Sequence, residues 1–224
     1  MNPITNTLLI VTAACIVVFV GVYFFIKYLK KKKNIRVGKN GEKKVAKVLN
    51  KFATKVGGKV IHDIYLPLYD KTTQIDHLLI APFGMVCVET KTISGDIYGG
   101  QNDKNWTQIL GEQKNTFYNP LRQNKTHIDC IHYLLTKHEI YCVEIESLVV
   151  FASEKSQLFV ARGLPVIRLE QLKKYLQKKR YQKDHGVDMI KVYQTLLEEK
   201  VTDKKLLKKH NENVAKAAKL SQQS

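Results

Sequence analysis

The chain has no CxxC pair, and its four cysteines, Cys15, Cys87, Cys130 and Cys142, form no Cys/His cluster at zinc-ligand spacing. That speaks against structural zinc and leaves free thiols in a reducing compartment as the simple reading. Acidic residues are scarce as well: 20 Asp+Glu stand against 37 Lys+Arg, a formal net charge of +17. Such an excess favours polyanions, meaning nucleic acid or an anionic membrane surface. No internal repeat is visible, and 224 residues suit one medium domain with extensions better than two full domains. Charge is missing altogether from residues 1–26.

Within that uncharged stretch the run Leu8–Ile26, LLIVTAACIVVFVGVYFFI, is almost wholly apolar. At ~1.5 Å per residue it covers roughly the ~30 Å hydrocarbon core of a bilayer. Tyr23 and Tyr28 lie near its far end, where interfacial aromatics are at home. A cleaved signal peptide is the competing reading. No basic residue precedes the run, however, and it ends in Phe24-Phe25-Ile26-Lys27 rather than a small-residue cleavage site. The expectation is an uncleaved anchor over 8–27 after a short extracytoplasmic N-terminus, 1–7. Lys27, Lys30, Lys31, Lys32, Lys33, Arg36 and Lys39 flank only its C-terminal end. The positive-inside rule then gives a single-pass cell-membrane protein with its N-terminus out and its domain cytoplasmic. The basic collar, 28–37, reads as a linker that contacts anionic lipid headgroups.

From residue 38 the pattern is that of a folded domain. Val45, Val48, Leu49 and Phe52 recur at i, i+3, i+4, i+7, which predicts an amphipathic helix ended by Gly57-Gly58. A strand is expected over 59–66, a hairpin over 74–80 and 84–92, and a short glycine-bounded strand over 94–100, with Trp106 in the polar stretch beyond. Asn119-Pro120 marks a helix entry, Pro120 at the first helical position, with Leu121, Ile128, Ile131 and Leu135 towards the core. Residues 147–153 read as a buried strand, followed by a brief strand and helix, and 187–224 as helical and strongly basic. The order implies an α/β domain with a central mixed sheet flanked by helices. It divides into a main part, 38–150, a strand and helix completion, 151–202, and a basic, partly frayed helical tail, 203–224.

The hairpin holds the chemistry. Pairing Ile80 with Met85, or Ala81 with Gly84, places Leu78 opposite Cys87, Asp76 opposite Glu89 and Gln74 opposite Lys91. Opposed residues share a face, leaving Ile75, His77, Leu79, Val86, Val88 and Thr90 on the other. Two adjacent carboxylates repel unless one takes a proton or a cation joins them. Lys91, two residues beyond Glu89, falls on the same face. A divalent ion on hard oxygen ligands would compensate the acids, Mg²⁺ being usual where phosphates are substrate. The plainer reading is an Asp76–Lys91 ion pair with Glu89 exposed, and spacing alone does not separate the two.

The set GKNGEKKVAKVL, QIDHLLIAPFGMVCVETKTISGDIYG, the Trp of KNW and NPLRQNKTHI resembles the nuclease-related domain (NERD) family of the PD-(D/E)XK nuclease superfamily over residues 36–150. The resemblance implies a restriction-endonuclease-like core carrying its metal site on the hairpin. It implies Asp76 and Glu89 as metal-binding acids for Mg²⁺ or Mn²⁺ and Lys91 as the catalytic lysine. Gln123 matches a glutamine that would hydrogen-bond substrate or a catalytic group. Glu42 matches the family's early glutamate, which completes the metal shell, although a glutamate favouring a helix start is an equal reading. His127, one turn after Gln123, either shares that face or is structural. The leading expectation is therefore a membrane-tethered, Mg²⁺-dependent nuclease acting on DNA, or RNA, at the cytoplasmic face. The alternatives are a non-catalytic nucleic-acid-binding module and a membrane-anchored interaction protein on the same fold.

Overall fold

The computed structural model describes the backbone of residues 3–69 and 71–221 and the side chains of 16–30, 32–69 and 71–217. The chain divides into two compact units, Met1–Asn40 and Gly41–Ser224. In the first unit the backbone is helical from Pro3, as part of α1 (Pro3–Val56), and the basic stretch 28–37 lies within that helix. Every large apolar side chain described between Ile16 and Leu29 is exposed. The expected span 8–27 begins in residues whose side chains lie outside the described set. Among the described residues, no helix is long and apolar enough to cross a membrane.

The second unit is a mixed α/β fold with two mixed sheets, where the sequence pattern implied a single central one. The larger sheet has the order β1 (Lys59–Leu68), β2 (Lys71–Ala81), β3 (Gly84–Lys91), β7 (Ile145–Phe151), β9 (Val166–Arg168). Strands β1, β2 and β3 are antiparallel neighbours, whereas β7 lies parallel to β3 and β9 parallel to β7. The smaller sheet has the order β6 (Gln113–Tyr118), β5 (Asn105–Leu110), β4 (Gly95–Gly99), β8 (Ser156–Val160).

Strand β3 lies in the middle of the larger sheet, and every residue from Gly84 to Thr90 is buried. Its alternate side chains feed two cores. Cys87 and Met85 join Leu78 and Ile80 under α2 (Pro120–Lys137) and α4 (Met189–Glu198), which contribute Ile131, Leu134, Val192 and Leu196. Val86 and Val88 join Leu79 under α1 and α3 (Leu169–Tyr175), which contribute Val45, Leu49 and Leu172. The amphipathic helix expected from residue 38 is therefore present, with Val45 and Leu49 fully enclosed and Val48 and Phe52 half-covered. Residues beyond 150 complete this unit: β9 extends the sheet and α3 and α4 cover its two faces. The chain then ends in the basic helix α5 (Lys204–Ser221).

The β5–β6 hairpin is the element that hydropathy did not announce. Its strands, NWTQIL and QKNTFY, carry apolar residues mainly at their ends and with no strict alternation, and Trp106 is completely buried. Trp106 stacks parallel to Phe151 at 6.4 Å between ring centroids and so joins the two sheets. Any side chain at Gly99 would run into the Trp106 ring, a built Cβ coming within 2.2 Å of it.

Helix α2 starts where Asn119-Pro120 predicts. The Asn119 Oδ1 accepts from Leu121 N at 2.9 Å, and its Nδ2 donates to the carbonyls of Gly100, Gln101 and Asp103. One wholly buried amide thus caps the helix and anchors the loop in front of it. Asn119→Ala is expected to cost about 2 kcal/mol, because it removes the cap and strands those carbonyls. Asn119→Asp keeps the cap acceptor but turns a carboxylate oxygen towards those three carbonyls, and should cost at least as much. Urea denaturation checks both, and unchanged midpoints would overturn this role.

Candidate active site

The β2–β3 ladder has the register read from the sequence, from Ala81↔Gly84 through Leu78↔Cys87 to His77↔Val88. It stops there, one residue short of Asp76. The Asp76 Oδ2 reaches across the opening and accepts from Thr90 N at 2.8 Å, so a side chain takes the place of a strand carbonyl. Asp76 and Glu89 are therefore not ladder partners, nor are Gln74 and Lys91.

The cause lies one strand away. Asp63 of β1 has φ +50, and the β1–β2 ladder skips the Asp63/Asp76 position between its His62↔His77 and Ile64↔Ile75 pairs. On either side of that gap the strands change face. Leu78 and Ile80 lie in the core under α2, yet so do Ile75 and, on the other strand, both Ile61 and Ile64. Strict alternation had assigned Ile75 to the opposite face. Asp76 thus sits at a break in the pleat, where the sheet opens and a carboxylate can turn towards β3.

Beyond the break, β3 and α2 converge. Lys91 Nζ contacts Glu89 Oε1 at 2.7 Å and donates to Gln123 Oε1 at 2.8 Å. Thr73 Oγ1 and His127 Nδ1 are 2.8 Å apart. With Thr73 donating, His127 carries its proton on Nε2, which lies 3.3 Å from Glu89 Oε2. That contact is electrostatic and out of hydrogen-bond alignment, and both atoms are buried without a hydrogen-bond partner among the described residues. Asn124, between Gln123 and His127, takes the Cys87 thiol on Oδ1 at 3.0 Å and donates to Cys87 O and Ser147 Oγ. It clamps α2 to β3 and β7. Residues 123, 124 and 127 lie within about one turn of the same helix.

The structure therefore brings together Asp76, Glu89, Lys91 and Gln123, with His127 on the same face. Thr73, Asn124 and the Thr90 amide escaped the sequence reading. The signal for Asn124 was its place next to Gln123, less than one turn before His127 on the same helix. Glu42, on α1, acts on Asp76 through its charge. Among the described residues, no three His, Cys, Asp or Glu side chains group closely enough to hold a metal ion by themselves.

The two acids are held in opposite states. Burial and the neighbouring Glu89 charge push the Asp76 carboxyl well above the ordinary carboxylate range, against the pull of the Thr90 N–H and Lys91. Burial would raise Glu89 too, but the Lys91 ammonium and the His127 ring outweigh it and bring Glu89 below its ordinary value. Glu89, not exposed as an Asp76–Lys91 pair would leave it, is 2 % exposed and is the carboxylate that owns the lysine.

An α/β domain with a buried glutamate, a half-buried aspartate and a lysine at the open end of a central hairpin is the class that fold and site define. The chain belongs to the nuclease-related domain family, which matches residues 37–152. It is also 32% identical over 174 residues to an uncharacterised protein of Bacillus anthracis, covering 77% of this chain and 81% of that one. No solved structure matches the chain significantly.

The opposed shifts set a pH test. Ionised Asp76 costs stability above its raised folded value, and nothing below the unfolded one near pH 4. Asp76→Asn, whose amide oxygen still accepts from Thr90 N, should raise the melting temperature at pH 7, with the gain vanishing towards pH 4. Glu89 behaves inversely: its stabilisation is present above the ordinary value and is lost as pH falls through the lowered one. Glu89→Gln should cost on the order of 2 kcal/mol at pH 7 by leaving Lys91 without its counter-charge, and less in acid. Thermal melts over pH 3–8 check this, and shifts of the same sign for both variants would refute it.

Proposed function

We propose that the chain is a membrane-tethered nuclease of the PD-(D/E)XK type, hydrolysing DNA phosphodiesters with Mg²⁺ or Mn²⁺. The observation that carries this reading is the fixed Lys91 ammonium, held by Glu89 and Gln123 beside an Asp76 that resists ionisation where the ladder opens. The donor set suits a hard divalent cation: two carboxyl groups, Asp76 half-buried and Glu89 buried, the latter with an oxygen lacking a hydrogen-bond partner among the described residues. Mg²⁺ commonly takes only one or two protein carboxylates, the rest of its shell being water and substrate phosphate. Asp76 and Glu89 would hold the ion, with Glu42 adding negative charge nearby. When bound, the ion supplies Lewis-acid polarisation of the phosphoryl oxygen and a more acidic water.

The chain's own side chains do the positioning. Two of the three Lys91 N–H groups are committed to Glu89 and Gln123, which leaves one for the attacking water or a phosphate oxygen. As a cation, Lys91 favours the charge that develops on phosphate. Gln123, held by α2, keeps the lysine from collapsing wholly onto Glu89. His127 and Thr73 hold the far side of Glu89. The exposed lysines of α5, Lys204, Lys205, Lys208 and Lys209, would add sequence-independent phosphate contacts.

Membrane attachment rests on the uncharged segment 1–26, the exposed apolar side chains from Ile16 to Leu29 and the basic residues that follow. The one-sided collar favours a cytoplasmic domain.

With the full chain, Mg²⁺ and duplex DNA, cleavage is expected. It should drop by about 10²-fold or more in Lys91→Ala and Asp76→Asn, and chelation should abolish it. Equal cleavage by wild type and both variants would remove these residues from the mechanism. Salt-dependent binding without cleavage, and without any response to Mg²⁺, would favour a non-catalytic nucleic-acid-binding module.

A further inference from the structure

Away from the candidate site, the second unit contains a cavity of about 790 Å³ between α1, the β2–β3 turn and α3 with the short 3-10 turn Lys179–Gln182. Its wall includes Pro82 and Phe83, six residues along β2 from Asp76, roughly 20 Å at the strand rise. The cavity is therefore separate from the carboxylate–lysine cluster, and nothing in the proposed hydrolysis uses it.

Its composition is divided. The floor is hydrocarbon: Val48, Phe52, Val56, Phe83, Leu176 and Tyr181. The rim is cationic: Lys47, Lys51 and Lys55 from α1, and Lys173 and Lys183 from the opposite side, against one acid, Asp184. Lys47, Lys51 and Lys55 follow one another every four residues and stack on one face of the helix. Like charges at that spacing repel and destabilise the helix. None of the five lysines has an ion-pair partner among the described residues. An unpaired cationic ring around a greasy floor calls for a ligand that is apolar at one end and anionic at the other.

Size and shape narrow the class. The volume lies within the ~300–1,000 Å³ usual for a single small ligand. Phe52, Phe83 and Tyr181 pack against each other in tilted and edge contacts, with centroids 5.0–6.5 Å apart, and present no platform on which nucleobases would stack. The geometry points to a long-chain fatty acid carboxylate, its tail on the apolar floor and its head among the lysines.

Displacement of a fluorescent polyene fatty acid from the full chain tests this. Oleate should displace it, and methyl oleate, with the same tail and no charge, should do so about tenfold less well or worse. Inorganic phosphate and a short oligonucleotide should not displace it at all. The double variant Lys51→Glu, Lys55→Glu should weaken oleate about tenfold, and Val48→Trp, which fills the floor from a half-exposed position, should do so at least as strongly. Equal competition by methyl oleate, or displacement by the oligonucleotide, would overturn the proposal. So would binding unchanged in the charge-reversed variant, which would place the fatty acid on the N-terminal apolar run. The two reversed lysines are exposed, so that variant carries the test even if Val48→Trp does not fold.

Discussion

A carboxylate with almost no access to water must be met by positive charge or polar N–H groups, and at Glu89 the Lys91 ammonium supplies the charge while the His127 ring lies against the other oxygen. Much of the second unit follows from satisfying it. Lys91 arrives on the same strand, two residues on, so no folding step beyond forming β3 is needed to place it. His127 arrives from α2, and reaches Glu89 only if that helix has the right phase. Asn119 sets where α2 begins, and Asn124 locks its face to β3 and β7. Thr73, on the far side of the ring, ties in the beginning of β2. The central strand, the crossover helix and the hairpin are thus held to one another by a polar cluster inside an otherwise apolar core.

Asp76 stands outside this settlement. It receives one backbone N–H, no cation of its own, and the repulsion of two other acids. A sequence selected only for stability would place an amide or an apolar residue there. Local conflicts with folding rules are expected where a residue serves chemistry. The break in the pleat at Asp63 and Asp76 belongs to the same pattern, since it spends two ladder positions to turn a carboxylate towards Thr90. This conflict lies inside the stretch that the family match covers, residues 37–152.

Where sequence patterns were informative, one physical signal dominated locally. The hairpin register followed from buried alternation around a tight turn, because a one-residue slip would have reversed every side chain from Leu78 to Val88. The helix at 120–137 followed from Asn-Pro, and the part of α1 from residue 38 onward from its apolar spacing. The β5–β6 hairpin was hidden because its strands show no apolar alternation, and of their residues only Trp106 is fully enclosed. The face change at Asp76 was hidden for another reason: it depends on a left-handed residue in the neighbouring strand, which no periodicity in β2 can register. At the site, the acids and lysine were legible from spacing and resemblance. Thr73 and Asn124 were not, since their roles arise only once α2 docks.

The stacking of Trp106 on Phe151 has an optical consequence. Trp106 is the sole tryptophan of the chain, and Phe151 is the residue on β7 paired with Lys91 in the parallel ladder. The indole is sealed from water with its Nε1 donating to the Gly100 carbonyl, in the loop that Asn119 also holds. Its emission therefore comes from one known environment, a single strand away from the lysine. Loosening of the sheet at that strand would redden the spectrum without any label being added, so the molecule carries its own reporter beside the residues of greatest interest.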